Sequence, residues 1–272
     1  GSTQTARLIQ QSLANKSGAI VPLIAETGGQ NAMIVDSSAL PEQVVKDVII
    51  SAFGSAGQRC SALRVLYIQS DIADKLITML KGAMAEIKLG DPSLLDTDVG
   101  PVIDADAKSM LESHFDEMQQ QGTLLYQVPT DASHEKGHYF APCAFEIPSI
   151  NCLKQEFFGA FLHIVRFDAK ALEQVITDIN QTGYGLTLGI HSRVERTIEK
   201  IIAQAKVGNM YVNRSMTGAV VGVQPFGGEG LSGTGPKAGG PHYLARLCHE
   251  RTLSVNTTAS GGNASLMNLS DD

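Results

Sequence analysis

No stretch of this 272-residue chain approaches the roughly 20 consecutive apolar residues that a bilayer crossing requires, and the N-terminus does not read as a secretory leader. A membrane-spanning role is therefore not expected. Basic charge is scarce: 21 Lys and Arg stand against 28 Asp and Glu, for a net charge of −7 and a pI near 5.5. A nucleic-acid or anionic-membrane surface needs a basic stripe, so neither partner is expected. The four cysteines, Cys60, Cys143, Cys152 and Cys248, form no CxxC pair and no regular framework. Reduced thiols in a cytoplasmic protein are the simpler account. The seven histidines include no HExxH or comparable spacing, so no metal site is expected. No internal repeat is visible.

What is present is a soluble globular composition, 43% hydrophobic and 18% charged, in a chain long enough to bury a sizeable core. A helix starts almost at once, with Ser2 or Thr3 as its N-cap. Short apolar runs at 19–25, 32–35, 65–68, 123–127, 139–145, 161–167, 186–191 and 208–212 read as strands. Between them, 41–53, 72–87, 104–121, 169–181 and 194–205 read as helices. This alternation predicts an α/β fold with a mostly parallel sheet flanked by helices. The character changes at Gly218. Residues 222–240 are dense in glycine and are expected to be too flexible for a core element. A short helix is expected near 243–247. Residues 252–256 look like a strand that needs an external sheet, and 259–272 like a flexible tail or linker.

Two residues stand out chemically. Cys60 lies in Gly57-Gln58-Arg59-Cys60-Ser61. Small neighbours leave room for a carbonyl, and Arg59 is a fixed cation that could favour a thiolate. An inert buried thiol is the plainer alternative. Glu26 precedes Gly28-Gly29, where the backbone can turn tightly and a ligand can approach, so its carboxylate is a candidate general base. A solvated surface acid is the alternative there. Gly228–Gly233 spells GxGxxG, but another glycine-rich turn follows it rather than a helix. It is rejected as a dinucleotide fingerprint.

Taken together, Glu26-Thr27-Gly28-Gly29, Gly57-Gln58-Arg59-Cys60, Glu156-Phe157-Phe158-Gly159 and Pro225-Phe226-Gly227-Gly228 resemble four ordered signatures of the aldehyde dehydrogenase superfamily. The stretch from Ser215 to Gly235 resembles the branch that acts on L-glutamate γ-semialdehyde, derived from 1-pyrroline-5-carboxylate. Val255-Asn256-Thr257 and the following Gly-Gly-Asn-Ala-Ser resemble the bifunctional proline utilization A family. The resemblance implies that Cys60 attacks the aldehyde and that its backbone N–H helps hold the oxyanion. It implies that Glu26 activates the water that releases glutamate. Glu156 would hold ribose hydroxyls of NAD and Phe158 would lie near the nicotinamide, while Gly1 and Ser2 match the helix start that meets the pyrophosphate. Ser61, Gly218 and Ala219 match positions that grip the substrate α-carboxylate, beside Arg59, and Phe226 would wall its aliphatic stem.

By the same resemblance, a complete member has most of its cofactor domain upstream of Gly1. It also has an asparagine that completes the oxyanion hole and, in the bifunctional branch, an FAD-dependent proline dehydrogenase domain. The chain is therefore expected to divide into a residual edge of the Rossmann-like NAD domain (1–27), the catalytic domain (28–228) and a return segment (229–251). An oligomerisation strand (252–258) and the tail (259–272) would follow. A homo-oligomer is expected, and by itself this stretch is expected to have little NAD-linked activity. The alternatives are another semialdehyde as substrate, or a non-catalytic folding and assembly unit.

Overall fold

The computed structural model describes residues 1–256. Helix α1 (Thr3–Asn15) starts where expected. Ser2 is its N-cap, with Oγ accepting from the Thr5 N–H at 3.1 Å. None of its residues is buried.

The run 19–25 forms no strand, contrary to expectation: Ile20 is fully exposed, and only a single bridge forms, from Glu26 to Gly233. A strand exists through its neighbour's ladder of N–H and C=O groups, and no sheet edge lies beside this run. The described part of the expected oligomerisation strand, 252–256, is not a strand either. The remainder of that segment and the tail lie outside the described residues.

From β1 onward the alternation holds. Strands β1 (Ala32–Val35), β2 (Val65–Gln69), β3 (Thr123–Gln127), β4 (Cys143–Glu146), β5 (Phe161–Phe167), β7 (Thr187–His191) and β8 (Asn209–Val212) build one sheet in the order β3-β4-β5-β2-β1-β7-β8. Every pair is parallel except β3 with β4. Strand β4 starts later than expected, after Pro142, whose missing N–H cannot join a ladder.

Period-two alternation splits the strands between two cores. Met33, Val35, Leu66 and Ile68 face one, with side chains of α2 (Pro41–Phe53) and α3 (Ser70–Ala85). Ala32, Ile34, Val65 and Tyr67 face the other, with Leu111 and Met118 of α4 (Ala105–Gln121), Val175 and Ile179 of α5 (Leu172–Gln181), and Ile201 of α6 (Glu195–Gln204). Each fully buried aliphatic side chain contributes about 1.5–3 kcal/mol of transfer free energy, which makes both faces structural.

The carboxyl ends of the central strands are closed by polar side chains. Ser192 Oγ donates to Asp36 Oδ2 (2.5 Å), and Asn213 bonds both the N–H and the C=O of Ser192 (3.0 and 2.8 Å). That leaves the opposite end, where the loops enter β1, β2, β5 and β8, free for chemistry. The glycine-rich return is ordered against that end, correcting the expectation that it is too flexible for a core element. Strand β9 (Glu229–Gly230) pairs antiparallel with β6 (Tyr184–Gly185), and Phe226 and Ala238 exchange two backbone bonds (3.0 and 2.8 Å). Ser232 is fully buried and its Oγ accepts from the Gly185 N–H at 3.0 Å. Here glycine permits backbone to lie on backbone: Gly208 abuts the Gly227 carbonyl so closely that a Cβ would collide with it.

Candidate active site

The loop carrying Cys60 leaves α2 through three consecutive left-handed residues, Ser55 (φ 56°), Ala56 (φ 54°) and Gly57 (φ 65°). Two of these have a Cβ, so the turn is strained and must be held from outside. Arg64, only 1% exposed, holds it. Its guanidinium donates to Gly57 O (2.7 Å), Gly159 O (3.0 Å), Arg59 O (3.2 Å) and Glu156 Oε1 (3.2 Å). A second clamp comes from Asn31, at the entry to β1. Its Nδ2 donates to Cys60 O (2.6 Å) and Ala62 O (2.9 Å), while its Oδ1 accepts from the Thr187 N–H (3.2 Å). Asn31 and Arg64 were not singled out in the sequence. An arginine inside the apolar run Ala62–Tyr67 is the signal that could have marked the second.

Cys60 is half-buried. Burial pushes its thiol up, and Glu156 and then Glu26 push further in the same direction, opposed by the Ser61 backbone N–H. The surroundings thus favour the protonated thiol. Arg59 does not supply the expected counter-charge: its Nε donates to Ser55 Oγ at 2.9 Å.

Glu26 is brought to the same place by its bridge to Gly233 and by the Thr27 N–H donating to Ser232 O (3.1 Å). Both its carboxylate oxygens are inaccessible and lack a hydrogen-bond partner, and they lie against Gly227. Burial raises its carboxyl above the ordinary value; Lys237, the Gly228 N–H and the Gly1 amine pull it back. A desolvated, unpartnered carboxylate beside a thiol is equipped to take a proton from water.

A cavity of about 600 Å³ opens at the thiol. Arg59, Cys60, Ser61, Ala219 and Phe226 line it, together with Gln58, Val221, Gln224, Ala238 and Gly239, which the sequence did not mark. Gly218 is not among the lining residues; its φ of 80° turns the chain into Ala219. Two other cavities, about 620 and 730 Å³, share His134 and Tyr139 and hold none of the expected site residues. Among the described residues, no group of three or more His, Cys, Asp or Glu is placed to hold a metal.

The residues expected to meet NAD fit its nicotinamide end. Glu156 is pinned by Arg64 and by the Gly29 N–H (3.0 Å), and Gly28 leaves it the space that a Cβ would fill. Burial raises its carboxyl, with Arg64 and the Gly29 N–H pulling it down; one bond to each oxygen leaves a lone pair for a hydroxyl. Phe158, 37% exposed, lies under the Arg64 guanidinium at 5.1 Å. Gly1 and Ser2 are exposed at the start of α1, where Ser2 is the N-cap and helix geometry leaves first-turn N–H groups without an intrahelical acceptor.

Residues 1–253 match the aldehyde dehydrogenase family. The chain is 55% identical over 259 residues to the bifunctional protein PutA of Klebsiella aerogenes, covering 92% of this chain and 20% of that protein. It is 36% identical over 234 residues to the 1-pyrroline-5-carboxylate dehydrogenase of Geobacillus sp. (strain WCH70), covering 85% and 45%. Its structure is similar to Bradyrhizobium japonicum proline utilization A (TM-score 0.91, 57% identity, 96% of this chain and 26% of that one). It is also similar to a Thermus 1-pyrroline-5-carboxylate dehydrogenase with bound NAD (TM-score 0.83, 31% identity, 90% and 48%). The chain thus spans about a fifth of the first and under half of the second curated relative. With Cys60 opening onto a cavity at one end of the sheet, and with this likeness along nearly all its length, the chain belongs to the aldehyde dehydrogenase family.

Proposed function

We propose that the chain is the catalytic part of an NAD-dependent dehydrogenase that oxidises L-glutamate γ-semialdehyde to L-glutamate, the second step of proline catabolism. The observation that supports the reading is the cavity at Cys60, walled by Ser61, Ala219 and Phe226, with the Glu26 carboxylate held against Gly227, next in the chain to Phe226. The Cys60 thiol gives its proton to solvent water, the thiolate adds to the aldehyde carbon, and the new alkoxide is met by the Cys60 backbone N–H. NAD, when bound, would supply the hydride acceptor for this carbon, and Glu156 and Phe158 are the residues that would hold it. Glu26 then takes a proton from water, which attacks the thioester, frees the carboxylate product and returns the thiolate. Ser61 and the backbone around Ala219 orient the α-carboxylate with neutral donors.

We place the chain within a longer bifunctional protein whose proline dehydrogenase part, using FAD, supplies the semialdehyde. No residue of α1, the helix expected to meet the pyrophosphate, is buried, and this stretch alone is proposed to hold NAD weakly. The test is intact-protein mass spectrometry after incubation with the semialdehyde and excess NAD. An acyl adduct that needs Cys60 and persists in Glu26→Gln supports the reading. An adduct retained in Cys60→Ala, or none in Glu26→Gln at saturating NAD, overturns it. A second reading, an assembly unit, draws on the exposed Leu8, Ile9, Ile20, Val21, Leu244 and Leu253. It predicts concentration-dependent association without any adduct.

A further inference from the structure

The ordered glycine-rich return places a cation beside the carboxylate. Lys237 Nζ donates to Gly208 O (2.5 Å), Gly227 O (2.5 Å) and Asn209 Oδ1 (2.9 Å). An ammonium has three hydrogens, and all three are taken by uncharged oxygens. Asn209 is fixed in turn: its Oδ1 also accepts from the Gly227 N–H (3.2 Å) and its Nδ2 donates to Pro225 O (3.0 Å). The entry to β8 and the turn at 225–227 are therefore one clamped unit with Lys237 at its centre. The far side of that turn is the wall of Glu26, for a Cβ on Gly227 would collide with Glu26 Oε1.

We propose that Lys237 is a positioning residue for Glu26: it fixes the Gly227 wall on which the carboxylate rests and supplies a counter-charge without bonding to it. The inference rests on Glu26 being the base that activates water. A direct salt bridge would occupy the lone pair that must receive the proton. An ammonium saturated by neutral oxygens opposes the burial of Glu26 and leaves that lone pair open. The charged and titratable groups facing Glu26 are Lys237 from the return segment, the Gly1 amine ahead of α1, and the Cys60 thiol from the loop before β2. Those facing Lys237 are Glu26 and Glu229 of β9. A lysine that merely stapled the return segment would leave the titration of Glu26 unmoved.

The test is carbon-13 NMR titration of the Glu and Lys side chains in this chain, without substrate or cofactor, with Glu26 assigned through Glu26→Gln. In Lys237→Met the midpoint of Glu26 is expected to rise by about one unit, and by much less in Lys237→Arg, which keeps the charge. Coupling is reciprocal, so Glu26→Gln lowers the Lys237 midpoint by a similar amount. That arm needs no change at Lys237 and decides the matter if Lys237→Met does not fold. An unmoved Glu26 in folded Lys237→Met, or an unmoved Lys237 in Glu26→Gln, overturns the proposal. Absence of a Cys60 adduct would sink the dehydrogenase reading alone, and an adduct with unmoved midpoints would sink this one alone.

Discussion

Glu26 sits where its charge is disfavoured, and that has a measurable sign. Its folded-state carboxyl is raised by burial, so its contribution to stability is present at low pH and is lost as pH rises through the folded value. Glu26→Gln removes the buried charge. It should therefore raise the unfolding free energy read by urea denaturation at pH 8 by an amount on the order of 0.5 kcal/mol after solvent screening, and leave it nearly unchanged at pH 4. Loss of stability at pH 8 would contradict the unpartnered geometry. Gly57 makes a different residue-scale case. Its φ of 65° is left-handed, and a Cβ would run into the Gly159 carbonyl, which is backbone and cannot swing aside. Gly57→Ala should cost more than about 2 kcal/mol in chemical denaturation. At this scale the sequence showed residue type well: a cysteine among small neighbours and a carboxylate beside paired glycines. It did not show that Arg59 turns to Ser55, because that depends on which side chain the left-handed turn brings within reach.

Among the elements, the loop between α2 and β2 depends most on groups far from it in sequence. Arg64 ties three carbonyls and Glu156 together, and its own C=O accepts from His163 Nδ1 and the His163 N–H, both at 2.9 Å. With Nδ1 as donor, His163 Nε2 must accept, so His114 Nε2 donates to it at 2.8 Å. Arg64→Met would leave Glu156 buried without its cation and three carbonyls short of a donor. The expected cost is about 3–5 kcal/mol, read by urea denaturation, with faster alkylation of Cys60 as its loop loosens. Unchanged alkylation in a folded variant would mean that Arg64 does not order this loop. Helices and central strands were legible because their burial patterns are local, period 3.6 or 2 along the chain. The run 19–25 was misjudged because its apolar residues satisfy the pattern without a neighbour to pair with. The glycine-rich return was misjudged in the opposite sense. Composition marks a glycine's freedom but not the backbone surface that uses it up.

For the molecule as a whole, the buried histidine pair sets an acid limit. Burial lowers His114 to about 4 and His163 to about 3, from 6.5. Groups depressed in the folded state contribute stability that is present above their unfolded value and lost as pH falls through the folded one. The urea midpoint should therefore decline from pH 6.5 down to about 3. His114→Gln, which keeps a donor for His163 and does not titrate, should flatten that slope. An unchanged slope would place the acid sensitivity elsewhere.

By itself, the sequence determined the α/β class and the family signatures and marked Cys60, Glu26 and Glu156 as candidates, because each is carried by residue type and short-range spacing. Only the tertiary structure decided which end of the sheet holds the candidate site, that Arg64 and Asn31 brace the Cys60 loop, and that Lys237 clamps the Gly227 backbone against which Glu26 rests. Those choices belong to contacts between segments far apart in the chain, where burial and saturated hydrogen bonds set the outcome and local pattern carries no record of it.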